Sequence, residues 1–315
     1  FDMVSRSVTH GVMGSTPWCK LPEVKFLCPV PGYVRHFGIC ECFGIKIIPI
    51  AMDENGPDMA EVKKYVENDA SVKGIWCVPK YSNPSGITYS DDVVRAFAAL
   101  NPAAEDFRIF WDNAYCVHDL YDTSDSLLNI LDECRKAGKE DMCYIFASTS
   151  KITFPGAGVA VMAMSEANIA SNKKVLTYQM IGPDKINQLR HVRYFKNLDG
   201  IKAHMKKHAA IMAPKFDMVV DTLDSELSGL DIAKWTKPNG GYFISLDVVV
   251  GSAKRVHKLM AEAGVVMTPA GSTYPYMNDP KDTSIRIAPT LPSSEELKKA
   301  CEVFVLCVKL ASVEK

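Results

Sequence analysis

The sequence predicts an α/β fold: a mostly parallel sheet flanked by helices, followed by a smaller C-terminal α+β domain. Three observations carry this prediction. Short apolar, β-branched runs alternate with helical patterns over the first 195 residues or so, which is the signature of a parallel sheet wrapped by helices. A long stretch from Asp199 to Leu227 is helical in pattern, with Pro214 as its main breaker. Beyond it, strand and helix patterns resume in a shorter segment.

Taken in order, residues 1–14 read as a helix with Met3, Val4, Val8 and Val12 on its apolar side. Strands are expected at Phe26–Val30, Lys46–Ile50, Gly74–Val78, Arg108–Trp111, Tyr144–Ala147 and Val159–Met164, with helices such as Met59–Asp69 and Asp91–Leu100 between them. After the long helix come strands near Tyr242–Asp247 and Ser284–Ile287, and helices near Ser252–Ala263 and Ser294–Leu310. Leu297, Cys301, Phe304 and Val308 give the last helix one apolar face. The expected division is residues 1–195 as a large domain and 196–315 as the connecting helix with the small domain. There is no internal repeat and no low-complexity tract.

Composition excludes several function classes. The 315 residues are 47% hydrophobic, enough to bury a core in about two domains. A formal net charge of -1 without a basic run argues against nucleic acid as a partner. No apolar stretch reaches the roughly 20 residues of a membrane span. No secretory signal is read at Phe1-Asp2-Met3-Val4-Ser5-Arg6. The ten cysteines lie mostly in strand-like runs without paired spacing, so they read as reduced thiols of a cytosolic protein. Cys40 and Cys42 have no matching pair elsewhere, so no metal site is expected.

Four short motifs carry the chemistry, in the order Asn83-Pro84-Ser85-Gly86, Asp112-Asn113-Ala114-Tyr115, Ser148-Thr149-Ser150-Lys151 and Ser284-Ile285-Arg286-Ile287. The first three follow or end neighbouring candidate strands, and ligands in such folds bind beyond the carboxyl ends of the strands. Lys151 in a dry crevice would have a lowered ammonium pKa, favouring an imine with an aldehyde; alone it would read as a surface lysine. Asp112 needs a partner if buried, and a protonated pyridine nitrogen is a good one; the plain alternative is a helix N-cap. Tyr115 and Asn83 could reach the ring 3′-oxygen, and Ser148 a phosphate. Tyr33 either lies flat on an aromatic ring or caps the core. Arg286, alternating with apolar neighbours, either grips a carboxylate with its fork or faces outward. A lysine, an acid, an amide and a guanidinium so ordered are what holding pyridoxal phosphate (PLP) and an amino acid requires. His10, His36 and His118 are given no role, and Lys202, Lys207 and His208 read as a solvated helix face.

With these motifs in place, the chain resembles the fold type I PLP-dependent aminotransferases of class I/II, over nearly its whole length. It is most similar to the bacterial aspartate-aminotransferase-like subgroup that carries Cys-Pro-x-Pro-Gly-Tyr-x-Arg-His-Phe, here Cys28 to Phe37, and Ser-Thr-Ser-Lys-Ile-Thr-Phe, here Ser148 to Phe154. Gly182 to His191 also resembles this subgroup. The resemblance implies that Lys151 is the Schiff-base lysine and proton shuttle. It places Asp112 at the pyridine nitrogen, Asn83 and Tyr115 at the 3′-oxygen and Tyr33 against the ring. Ser148 would touch the phosphate, and Arg286, with Asn83, would bind the substrate carboxylate. The implied reaction moves an amino group between aspartate or glutamate and a 2-oxo acid such as 2-oxoglutarate, in a cytoplasmic homodimer.

Two departures qualify the resemblance. Where most of the wider family has a phosphate-clamping arginine seven residues after the lysine, this chain has Gly158; Gly156-Ala157-Gly158 suggests close backbone approach instead. The phosphate loop and N-terminal arm of the family are expected to precede Phe1, so the chain reads as N-terminally truncated and as impaired in holding PLP. Two rival readings remain open: a different PLP reaction, elimination or decarboxylation, and a non-catalytic remnant.

Overall fold

The strands divide their side chains between two cores, and that alternation explains the larger sheet. The computed structural model describes residues 1–315. In β1 (Lys25–Val30), β4 (Val72–Cys77), β5 (Arg108–Asp112) and β6 (Cys143–Ser148), successive residues point to opposite faces. Leu27, Ile75, Ile109, Trp111 and Cys143 enter one core; Phe26, Trp76, Phe110 and Tyr144 enter the other. On the first face, α3 (Met59–Asn68), α4 (Asp91–Ala99) and α5 (Ile130–Lys136) supply Val62, Val66, Val94, Phe97 and Cys134. On the second, α1 (Asp2–His10) and α2 (Val34–Cys42) supply Met3, Val4, Phe37 and Cys40. Gly74 leaves room for the Phe26 ring of the second core, since a Cβ there would stand 2.5 Å from it.

The seven-stranded sheet has the order β3-β2-β1-β4-β5-β6-β7, with β2 at Lys46–Asp53, β3 at Gly56–Pro57 and β7 at Ala160–Ala163. The pairs from β2 through β6 are parallel, and only the outermost strands β3 and β7 run antiparallel. Helices begin where side chains can accept the free amides of the first turn. Asp58 caps α3 and Ser90 caps α4. Ser165, Asp184 and Asn197 cap α6 (Glu166–Gln179), α7 (Lys185–Phe195) and α8 (Leu198–Leu227).

The 30-residue α8 buries Phe216, Val219, Leu223 and Leu227 in a core of its own with the second sheet. That antiparallel sheet has the order β10-β9-β8, with β8 at Ala233–Trp235, β9 at Ile244–Val248 and β10 at Ser284–Ile287. It is covered by α9 (Ala253–Glu262) and α10 (Ser294–Val313). Ser293 and Glu296 form a reciprocal capping box at the start of α10, and Leu297, Cys301, Phe304 and Val308 are all buried, as their spacing predicted. All ten cysteines are free thiols. No helix is long and apolar enough to cross a membrane.

Several expected boundaries moved. The first helix stops at His10 rather than near residue 14, because Gly11 takes a positive φ of 77°. The expected strand Val159–Met164 shrinks to Ala160–Ala163, exposed at all four positions. There, Val159 N–H bonds the Thr149 side chain instead of a ladder partner. Tyr242 and Phe243 lie outside β9, following the Gly240-Gly241 turn. The short strands β3 and β8 and the helices α2, α5, α6 and α7 were not assigned from the sequence.

Candidate active site

Because β4, β5 and β6 are parallel neighbours, their carboxyl ends open on the same edge of the sheet. Asp112 is the last residue of β5 and pairs with Phe146 of β6. Lys151 follows three residues after Ser148, the end of β6, and Asn83 lies in the turn after β4. The three motifs therefore meet at the sheet edge where α/β proteins bind ligands.

Asp112 is partly open, its side chain 27% exposed. His36 donates from Nε2 to Oδ2 at 3.0 Å, and no other protein group bonds the carboxylate. Burial pushes the Asp112 carboxyl up, but the His36 hydrogen bond and the charges of His36, Lys151 and the Phe1 ammonium together outweigh it and hold the group below its ordinary range. His36 is itself fixed by stacking on Trp76, with ring centres 4.2 Å apart and planes 7° from parallel. Tyr33 meets His36 edge-on at 5.2 Å. Tyr33, His36, Trp76, Ser82 and Asn83 line a crevice beside this pair.

The Lys151 ammonium lies 4.6 Å from the centre of the buried Tyr115 ring. Burial lowers its pKa, and Asp112 partly restores it; the net direction is down. A larger fraction of neutral amine is thus present near neutral pH than on a free lysine. Lys80, the other lysine of this region, is tied to Asp119, Ser124 and the Cys116 carbonyl.

Arg286 sits in β10, and no carboxylate pairs with it. One terminal nitrogen donates to Asn83 Oδ1 and the other to Thr268 Oγ1, both at 3.1 Å. Its guanidinium lies 4.7 Å over the Phe243 ring, and Nε is buried without a partner. Burial lowers its pKa against the opposing influence of Tyr115 and Tyr33. A desolvated guanidinium held by neutral groups keeps its charge available for an anionic ligand.

The turn carrying Lys151 is built by its own hydroxyls. Thr149 Oγ1 accepts from Val159 N at 2.8 Å and meets His191 Nε2 at 3.0 Å. A Cβ on Gly158 would lie 3.0 Å from Ser150 N and from Thr149 Oγ1, so glycine lets this segment pack against the turn that carries Lys151. Ser148 Oγ accepts weakly from Ser150 N at 3.4 Å and keeps its own donor free.

Two histidines set aside in the sequence stand at this site, which corrects that reading. His36 bonds Asp112, and His118 bonds the Lys151 carbonyl. His208 also departs from the solvated face assigned to it: it is half-buried against His204, with ring centres 4.6 Å apart. Thr268, Phe243 and Tyr242 were missed altogether. For His36 a signal existed, since it lies three residues beyond Tyr33, one turn along α2; the other contacts come from distant segments.

The comparisons with known proteins agree with this architecture. A family model described as "Aspartate amino-transferase" matches residues 1–315. An aspartate aminotransferase of Corynebacterium glutamicum is 48% identical over 319 residues, covering 100% of this chain and 73% of that protein. The crystal structure of an aspartate transaminase from Corynebacterium glutamicum superposes with a TM-score of 0.97 at 47% identity, covering 99% of this chain and 74% of that one. More distantly, the Pyrococcus horikoshii kynurenine aminotransferase, solved in complex with PMP, shares the fold at a TM-score of 0.77 and 21% identity, covering 92% of this chain and 70% of that one. The parallel sheet with its flanking helices is thus the fold of the type I PLP-dependent aminotransferases. Matched from end to end and sharing nearly half its residues with such a relative, the chain belongs to the aspartate aminotransferase family and is an amino-group-transferring enzyme.

Proposed function

We propose that this enzyme is PLP-dependent and moves an amino group between aspartate or glutamate and a 2-oxo acid such as 2-oxoglutarate. The observation that carries the reading is the meeting, beyond the strand ends, of Asp112 bonded only by His36, Lys151 with its ammonium over the Tyr115 ring, and Arg286 without a carboxylate partner.

The residues present fit the cofactor. The Asp112 carboxylate takes only the His36 bond, Ser148 keeps its hydroxyl donor free, and Arg286 Nε is buried without a partner, so each has capacity for a ligand. The PMP complex of the Pyrococcus horikoshii enzyme supports the same cofactor type. Asp112 would hold a pyridine nitrogen protonated, Asn83 and Tyr115 would face the 3′-oxygen, Tyr33 would pack against the ring, and Ser148 would bond the phosphate. When bound, PLP supplies an electron-poor ring that stabilises charge developing at the substrate Cα. Lys151 Nζ would hold the cofactor through its amine and would be the base that takes the proton from that Cα. Arg286, with Asn83, grips the substrate α-carboxylate in a fork. Holding that carboxylate favours transamination over decarboxylation.

The reading also includes a homodimer, cytosolic location and division into a large domain (1–195) and a small one (196–315). Large apolar side chains exposed between residues 178 and 198, including Tyr178, Ile181, Ile186 and Val192, support a partner surface. Ten free thiols support a reducing compartment.

The test is an assay with aspartate and 2-oxoglutarate, following oxaloacetate through malate dehydrogenase and NADH. Oxaloacetate formed in step with glutamate, and dependent on PLP, is expected. Release of carbon dioxide or ammonia without glutamate would replace this reading with decarboxylation or elimination.

A further inference from the structure

The peptide carbonyl of Lys151 receives two side-chain donors. Tyr242 donates its hydroxyl at 2.7 Å, and His118 meets the same oxygen from Nε2 at 3.2 Å. A carbonyl only accepts, so His118 carries its proton on Nε2, and its Nδ1 is buried without a partner. Tyr115, His118 and Tyr242 pack edge-to-face around the lysine. Tyr115 and His118 lie 5.5 Å apart at 85°, Tyr115 and Tyr242 5.8 Å at 80°, and His118 and Tyr242 5.3 Å at 88°. Lys151 is thus held at both ends, its ammonium over the Tyr115 ring and its carbonyl between the other two residues.

The backbone that delivers Tyr242 is built for close approach. A Cβ on Gly240 would stand 2.2 Å from the Tyr81 ring and 2.5 Å from the His118 carbonyl oxygen. Gly241 takes a φ of 81° and donates its N–H to that same carbonyl at 2.9 Å. Two residues after Tyr242 begins β9, whose Ser245 pairs with Arg286 of β10. A short, hydrogen-bonded path therefore joins the strand pair carrying Arg286 to the turn carrying Lys151.

We propose that Tyr242 and His118 are positioning residues, which fix the main chain of Lys151 through its carbonyl and tie it to the strand pair that carries Arg286. This rests on the reading of Lys151 as the reacting amine. Neither residue reaches the substrate; both act by keeping the amine on its line of approach, where small displacements lower the rate more than they weaken binding.

Tyr242→Phe removes one hydroxyl and keeps the ring. His118→Gln keeps an N–H donor near the position of Nε2, and His118→Leu removes it. In cofactor-free protein, hydrogen exchange of the peptide spanning Thr149 to Thr153 reads how firmly the turn is held. Loss of either donor should speed that exchange by about five- to ten-fold, the effect of one hydrogen bond. In the PLP-loaded enzyme kcat should fall by a similar factor of about five to ten while KM for the amino acid changes less than about two-fold. His118→Gln should stay within about two-fold of the parent, and the double variant Tyr242→Phe with His118→Leu should deviate from additivity, because both donors share one acceptor. Parental exchange and parental kcat in both Tyr242→Phe and His118→Leu would overturn the proposal, as would a loss confined to KM. Should Tyr242→Phe fail to fold, the contrast of His118→Gln with His118→Leu decides between the same outcomes. Lys151→Ala separates the two levels: full turnover in that variant removes the reading of Lys151 itself. An inactive Lys151→Ala beside parental Tyr242→Phe and His118→Leu removes only the positioning role.

Discussion

Acidification should destabilise this protein through His118, and the size of the effect follows from its surroundings. Burial pushes the His118 imidazole down from 6.5 to about 4, a shift that its hydrogen bond to the Lys151 carbonyl only partly offsets. The unfolded chain therefore binds a proton that the folded chain refuses between those two values. Stability present above pH 6.5 drains away as pH falls toward 4. At 1.36 kcal/mol per pKa unit the full loss is about 3 kcal/mol, and about 2 kcal/mol is already gone at about pH 5. His118→Gln keeps an N–H donor but does not titrate. Urea unfolding of parent and variant at matched cofactor content, at about pH 7.5 and about pH 5, isolates the term, because the carboxylates common to both cancel. The stability difference between the two proteins should change by about 2 kcal/mol between those conditions, against the parent at the lower pH. Parallel pH dependence in the two proteins would refute the reasoning, and would mean that His118 is solvated or bears a compensating charge.

Two substitutions probe the proposed chemistry. Asp112→Asn keeps the shape beside His36 but removes the charge, so transamination should fall by about a hundred-fold or more, as for loss of a principal electrostatic group; steady-state rates within a few-fold of the parent would rule out Asp112 at the pyridine nitrogen. Arg286→Lys keeps the charge but cannot span Asn83, Thr268 and a carboxylate together. The kcat/KM should drop by roughly ten- to a hundred-fold for amino donor and oxo-acid acceptor alike, whereas a loss confined to one substrate would show that Arg286 reads a side chain.

Much of this architecture was legible in the sequence, for identifiable reasons. The strands β1, β4, β5 and β6 are apolar on both faces, so their runs stand out, and Asp112, Ser148 and Lys151 mark where two of them end. Arg286 was legible because its neighbours Ile285 and Ile287 are apolar and no acid lies within three residues of it. The hidden parts depend on long-range contacts or weak local pattern. The edge strands β3 and β8 have only two and three residues, too few to show an alternation. His118 looks ordinary in sequence, and His36 is marked only by its place one turn beyond Tyr33. Their importance comes from Asp112, 76 residues from His36, and from the Lys151 carbonyl, 33 residues from His118. Tyr242 reaches that carbonyl across 91 residues, through a turn only Gly240 and Gly241 allow. No periodicity encodes such a meeting.

The central claim, that Lys151 is the amine that joins the cofactor and serves the reaction, has one direct measurement. The protein is incubated with PLP, reduced with borohydride, digested, and the pyridoxyl-bearing peptide sequenced by mass spectrometry. The account predicts a single label on Lys151, whose lowered pKa and position beside Asp112 make it the reactive lysine of this crevice. A label on Lys80, which the structure ties to Asp119, or on Lys185, in the first turn of α7, with Lys151 unmodified would contradict it.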